Sequence, residues 1–347
     1  MTTCYGVHFD PFDSKHMAIT YTDIGLHHSH NGGKTWKQTM IGVPRDWINT
    51  CYWLVFDPDV KDRVWSVWAY THDLPRRKLF HSRAYENNPG GTCRSDDGMQ
   101  SWQQMSTGLP DGCSPTHIIL DKNSPVNNRT LYIACMGKGV FKSSNDGCTW
   151  EQKINGFADN LNAWRLALLP DGTLYAIVFS AYRDGRTIDG RIYKSNDGAE
   201  SWQEVALPEG CIAPNDLVFD PACPGRMYLA CWPQSGEKFG DGGGLFKTED
   251  GGGIWKRIFD GTAFIYGLGI HPGNTSIVFF ATFEGSVYRS DDCGESWRRL
   301  RGYNFKWGHR PIVDPYDTEM IYITTFGSSV WYGPADGDDN ALEDIIE

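Results

Sequence analysis

Six octets in this chain share the pattern Ser/Thr-x-Asp/Asn-x-x-x-x-Trp, and no other feature restricts the fold as tightly. They run Ser29–Trp36, Ser95–Trp102, Ser143–Trp150, Ser195–Trp202, Thr248–Trp255 and Ser290–Trp297. Recurrence on a scale of roughly 40–50 residues is the mark of a repeat architecture. Each octet reads as a β-hairpin tip. An aromatic residue sits two places before the Ser/Thr in four copies (Phe141, Tyr193, Phe246, Tyr288), which is strand alternation. Glycines supply positive φ in the turn. The acid or amide at Asn31, Asp97, Asn145, Asp197, Asp250 or Asp292 bonds turn amides. The Trp opens the returning strand and hides roughly 150–250 Å². At ~25 cal/mol per Å² that contributes up to several kcal/mol per copy. The octet is therefore expected to hold hairpins rather than to do chemistry.

Two further repeats count the units. An inner strand ending in a polar turn begins at Val7, Leu54, Ile118, Leu166, Leu217, Leu268 and Pro311. An apolar strand follows at Met17–Tyr21, Val64–Tyr70, Leu131–Cys135, Leu174–Phe179, Met227–Cys231, Ile277–Phe283 and Met320–Phe326. Such near-continuous apolar runs suit strands buried on both faces. Both counts give seven, so the expected fold is all-β, a seven-bladed β-propeller with six octet hairpins over residues 1–335. The seventh unit ends at Val330-Trp331-Tyr332-Gly333 without a turn acid, so its outer strand is expected to be missing. Residues 336–347 are acidic and expected to form a disordered tail.

The octet resembles the Asp-box, or bacterial neuraminidase repeat, of sialidases, two-propeller xyloglucan hydrolases, sortilin-type receptors and a photosystem assembly factor. The resemblance covers Tyr5 to about Pro334 and implies a β-propeller; it does not by itself imply an activity. Sialidases are a poor fit, because the chain has seven units and lacks their early Arg-Ile-Pro segment. The resemblance favours a secreted or periplasmic setting, although Met1-Thr2-Thr3-Cys4 leads straight into a strand with no signal peptide.

A formal charge of −11 argues against nucleic acid and anionic membranes as partners. No apolar run reaches the roughly 18 residues of a transmembrane helix. The ten cysteines include no CxxC and no zinc spacing, so mostly free thiols, no metal and no cofactor are expected. A monomer is expected.

Function is expected on the loops facing away from the octets. Blades 2, 4 and 5 have long loops there, from Thr71, Ala181 and Trp232. Their neighbours carry Arg45, Trp47, Asn49, Tyr52, Trp164, Arg165, Trp307, His309 and Arg310, joined by His72, Arg76 and Arg183. Aromatic faces stack on sugar rings and planar polar groups bind hydroxyls, so this mixture points to a carbohydrate substrate. Tyr21-Thr22-Asp23-Ile24-Gly25 is similar to the first-blade segment of the xyloglucan hydrolases, where the corresponding aspartate is catalytic. That resemblance makes Asp23 the candidate acid. Its partner would come from Asp73, Asp46, Asp184 or Glu284, with Asp73 favoured, since glycoside hydrolysis uses two carboxyl groups. The expected function is a glycoside hydrolase. Two alternatives stand beside it: a uronate-specific lyase using His, Tyr and the rim arginines, and a non-catalytic protein- or glycan-binding ring.

Overall fold

The computed structural model describes residues 2–75, 84–233, 242–260, 263–283 and 286–342. Strands of the described residues form seven antiparallel sheets, each joining neighbours in chain order, and the fold is a seven-bladed β-propeller. Blade 1 shows the plan, with strands A to D at Cys4–Asp10, Asp13–Tyr21, Leu26–Ser29 and Lys37–Gln38. Blade 4 adds a two-stranded ribbon, Ala181–Arg183 with Arg186–Ile188. Blade 7 has three strands, Gly308–Val313, Met320–Thr325 and Val330–Pro334, as the absent seventh octet predicts. There Thr3 bridges Phe326, and the Gly327 amide donates to the Thr2 carbonyl.

The chain divides into two compact units. Residues 5–188 and 193–204 hold nearly all of blades 1–4; residues 1–4, 189–192 and 205–347 hold blades 5–7 and a few strand-end residues of blades 1 and 4. In the first unit the apolar B strands are the core: Val64–Ala69 and Leu174–Val178 are buried throughout. Trp68, Cys51, Val64 and Trp102 form one cluster, while Ala134, Val178, Tyr193 and Trp202 belong to another. In the second unit Leu245, Val278 and Phe280 belong to one cluster, and Ile321, Ile323 and Phe305 to another.

Each octet closes on itself through its side chains. In blade 2, Ser95 Oγ donates to Asp97 Oδ1 at 2.8 Å, and accepts from the Met99 amide at 2.9 Å. The Ser101 amide donates to Asp97 Oδ1 at 2.9 Å. Asn31 and Asn145 hold the same amide with their carbonyl oxygens, at 2.9 Å each. The octet Trp also ties consecutive blades together. Trp102 Nε1 donates to the Thr39 carbonyl of blade 1, Trp150 to Met105 of blade 2 and Trp202 to Lys153 of blade 3, at 3.1, 2.7 and 3.1 Å. Trp36 departs from the expected burial, at 38% exposed.

Two other expectations are corrected. Cys113 is joined to Cys135 and Cys211 to Cys231 by disulfides, with Cα–Cα distances of 6.4 and 6.0 Å. Each links the approach to strand A with strand B of the same blade. A cysteine inside an apolar strand looks like a small hydrophobe in sequence, so Cys135 and Cys231 gave no sign of their partners. The other six cysteines are free, as expected of most. The acidic tail is held as far as Leu342. Asp336 pairs with Arg289 and Arg298, Arg301 donates to the Asp339 carbonyl, and Asn304 donates to the Leu342 carbonyl. The charge that suggested a loose end is matched by arginines of blade 6.

Candidate functional site

Asp23 sits at the tip of the B–C hairpin of blade 1. The Tyr21 amide donates to the Gly25 carbonyl at 2.8 Å, and this tight turn puts Asp23 in the left-handed region at φ 62°. Its side chain reaches solvent, and Thr22 Oγ1 donates to Asp23 Oδ2 at 3.3 Å. His72 and Asp73 come from the start of the long blade 2 loop. His72 Nδ1 lies 3.3 Å from Asp23 Oδ1 and 3.6 Å from Asp73 Oδ2. The two carboxylates are therefore no more than about 7 Å apart, below the roughly 9.5 Å upper end of glycosidase pairs. They are unequal: the Asp23 side chain is 37% exposed and that of Asp73 only 4%. Both carboxylates stand near the same nitrogen, His72 Nδ1, without a hydrogen bond to it, and of the two Asp23 meets the solvent.

The aromatic residues expected to be sugar platforms are mostly the foundation of this loop. Tyr52 is 1% exposed and Trp164 2%. Tyr52 Oη donates to the Thr71 carbonyl at 2.9 Å and accepts from the Leu74 amide at 3.3 Å. Tyr5 Oη donates to the Leu74 carbonyl, and the Trp164 ring meets both tyrosines edge-on. Burial, with the Asp73 and Asp23 charges nearby, pushes the Tyr52 phenol far above its usual range, so it stays a neutral donor. Trp47 belongs to the core between blades 1 and 2, because its indole fills the space over Gly91. Neither Trp47 nor Trp164 offers a face to a ligand.

Arg165 is also buried, its guanidinium 4.5 Å from the Trp53 ring centre and 5.1 Å from that of Trp164. Trp53 collects His8 on one side and His117 on another, at 4.6 and 4.9 Å between ring centres. Gly6, Trp53, His117 and Arg165 hold one position on strands A of blades 1 to 4, four residues before Asp10, Asp57, Asp121 and Leu169. A Cβ on Gly6 would come 2.7 Å from the Trp53 ring, so the glycine makes room for the indole. Sequence reading missed this cluster; the signal was that shared register position, not a motif.

In blades 5–7, Arg310 closes a buried ion pair with Asp216 at 2.8 Å, and the Leu268 amide donates to the same carboxylate at 2.9 Å. His309 is buried with Nδ1 3.2 Å from Thr324 Oγ1. Both are structural partners rather than rim groups. Trp307 is half-buried and stacks on Phe283. On blades 1–4, Arg45 and Asp46 are exposed, and Asn49 donates to the Tyr70 carbonyl at 3.1 Å. Arg183 donates to the Asp159 carbonyl at 3.1 Å, and Asp184 is exposed at the ribbon turn. Arg76 and Glu284 lie outside the described residues.

No protein-family profile and no curated protein matches the chain. Solved structures match in fold. A GH74 xyloglucanase from Xanthomonas campestris matches with a TM-score of 0.67 at 18% identity, over 97% of this chain and 53% of that one. The chain thus spans about half the length of that enzyme. YCF48 from Cyanidioschyzon merolae matches at 0.64 and 15% identity, over 95% of both chains. YCF48 bound to a D1 peptide matches at 0.65 and 16%, over 96% of this chain and 94% of that one. These likenesses show the fold, a β-propeller.

Proposed function

We propose that the protein acts on a carbohydrate as a glycoside hydrolase, with Asp23 as the carboxyl group that meets the substrate. One observation carries this reading: a solvent-reaching acid held at φ 62° has a second acid within about 7 Å, both beside the same nitrogen of one histidine. Asp23 is the group free to exchange a proton with a glycosidic oxygen. His72, with the buried Asp73 carboxylate 3.6 Å from its Nδ1, is the group placed to draw a proton from water. The likeness to a xyloglucanase adds support at the level of fold. Burial of Arg165 and Arg310 removes two cations from the lyase alternative, which needs them to neutralise a uronate.

A glycan panel, neutral and acidic, followed by Asp23→Asn tests the reading. The variant should lose at least 100-fold in hydrolysis with an unchanged Tm, because Asp23 is exposed and at a turn. Cleavage of a confirmed substrate at the normal rate by Asp23→Asn sinks the assignment. A second reading, a peptide-binding ring, is favoured by the near full-length match to YCF48. It gains if no glycan in the panel is bound or cut.

A further inference from the structure

We propose that the protein binds a divalent transition-metal ion, Zn²⁺ foremost, through His16, His28 and His30 at the octet end of blade 1. Asp23 lies at the other end of the same B–C hairpin, so this site is separate from the one above and does not rest on its reading.

The repeat makes the trio visible. In blade 2 the matching positions are Arg63, Arg94 and Asp96, given the registers Met17↔Ser29 in blade 1 and Val64↔Ser95 in blade 2. Asp96 binds both arginines at 2.9 Å. In blade 5 they are Arg226, Lys247 and Glu249, and Glu249 binds both cations, at 3.0 and 2.9 Å. Blades 2 and 5 thus close this corner with two fixed cations on one acid. Blade 1 replaces all three by imidazoles, which trades salt-bridge partners for nitrogen lone pairs.

The geometry suits an ion. His16 Nε2 and His28 Nδ1 are 3.3 Å apart. Two nitrogens on a tetrahedral ion at about 2.0–2.1 Å are about 3.3–3.4 Å from each other. Ligand atoms of all three histidines lie within 4.8 Å of one another. Outer partners are in place as well. Asp10 Oδ2 holds His16 Nδ1 at 2.8 Å, leaving Nε2 for the metal, and Thr39 Oγ1 holds His28 Nε2 at 2.8 Å, leaving Nδ1. A carboxylate behind a ligating histidine is the usual support of such sites. Asp10 has its counterpart in blade 5, where Asp220 holds Arg226 at 3.0 Å.

His16 and His28 are buried, and His30 is exposed on the turn, stacked on His16 with ring centres 4.1 Å apart. A turn of the His30 ring off that stack completes three ligands and leaves a fourth position for water. Imidazole sets of this kind take Zn²⁺, Cu²⁺ and Ni²⁺ in preference to Mg²⁺ or Ca²⁺. A mutual hydrogen bond accounts for His16 and His28 alone but gives His30 no part.

The test uses untagged full-length chain freed of metal by chelator, with Zn²⁺ as the calorimetric probe and Co²⁺ as the spectroscopic one. One equivalent of Zn²⁺ should bind at micromolar Kd or tighter, and Co²⁺ should give the intense visible absorption of a tetrahedral site. His30→Ser, which copies Ser144 of blade 3, should weaken binding at least tenfold while leaving the Tm in chelator unchanged. His16→Arg, which copies Arg63 and Arg226, should abolish it. The proposal is overturned if the parent chain takes up no more Zn²⁺ than His16→Arg, or if His30→Ser binds as tightly as the parent.

Discussion

The carboxylates of the octets show how a single residue is tuned by a turn. Ser201 Oγ and the Ser201 amide both donate to Asp197, with Ser195 adding a third bond, and these hold its carboxyl down at about 2. Asp292 is held at about 2 by Ser296 and Ser290 in the same way. Both folded values lie below the usual carboxylate value of 3.8. Their contribution is therefore complete above about pH 4 and is lost as the pH falls through about 2. Asp197→Asn keeps the amide bond, as Asn31 and Asn145 do, but does not titrate. The variant should show a flatter fall in urea-unfolding stability between about pH 4 and pH 2 than the parent. Identical slopes would mean that the turn does not hold this carboxyl down. The residue type at this position was legible in sequence, and so was its role, because all its partners lie within four positions.

At the scale of the element, the octet reaches beyond its own hairpin. Gly42, Gly108 and Gly156 follow strand D of blades 1 to 3, with φ of 91°, 91° and 99°. A Cβ on each would fall 1.9–2.2 Å from the carbonyl oxygen of Trp102, Trp150 or Trp202 in the next blade. The amides of the same Trp residues donate to the residue before each glycine, at 2.8–2.9 Å. The glycine thus lets one blade's exit lie against the next blade's octet. Gly108→Ala should cost about 2–4 kcal/mol, from left-handed strain plus the clash. Gly172 has φ 88° with nothing near its Cβ position, so Gly172→Ala should cost only about 1–2 kcal/mol. Denaturant melts of the two variants compare the terms; equal losses would remove the clash from the account. Sequence alone showed the octet but not this seam. The glycine and its Trp partner are more than 40 positions apart, and only the stacking of blades brings them together.

For the whole molecule, the two disulfides occupy matching places in blades 3 and 5, one in each compact unit. They close loops of 22 and 20 residues, and each is expected to stabilise the fold by about 2–4 kcal/mol. Alkylation after unfolding without reductant should label Cys4, Cys51, Cys93, Cys148, Cys223 and Cys293, and spare the other four in peptide mass spectra. Label on Cys135 or Cys231 without reductant would refute the pairing. The expected site divides along the same line between local and distant information. The choice of Asp23 and Asp73 as the proposed pair rested on local signals, a tight turn with a short motif for one and a long loop for the other. The fates of Tyr52, Trp47, Trp164, Arg165 and Arg310 were not legible, since an aromatic or a cation beside a loop reads the same whether it faces solvent or a neighbouring blade. The amino-acid sequence by itself determined the blade count, the hairpin phase and the end of each blade that bears the long loops. These depend on strand alternation and turn chemistry within a few residues. Tertiary structure alone decided which side chains became foundation and which met solvent. It also brought His72 beside Asp23 of another blade, because that contact joins segments whose separation in sequence carries no record of their distance in space.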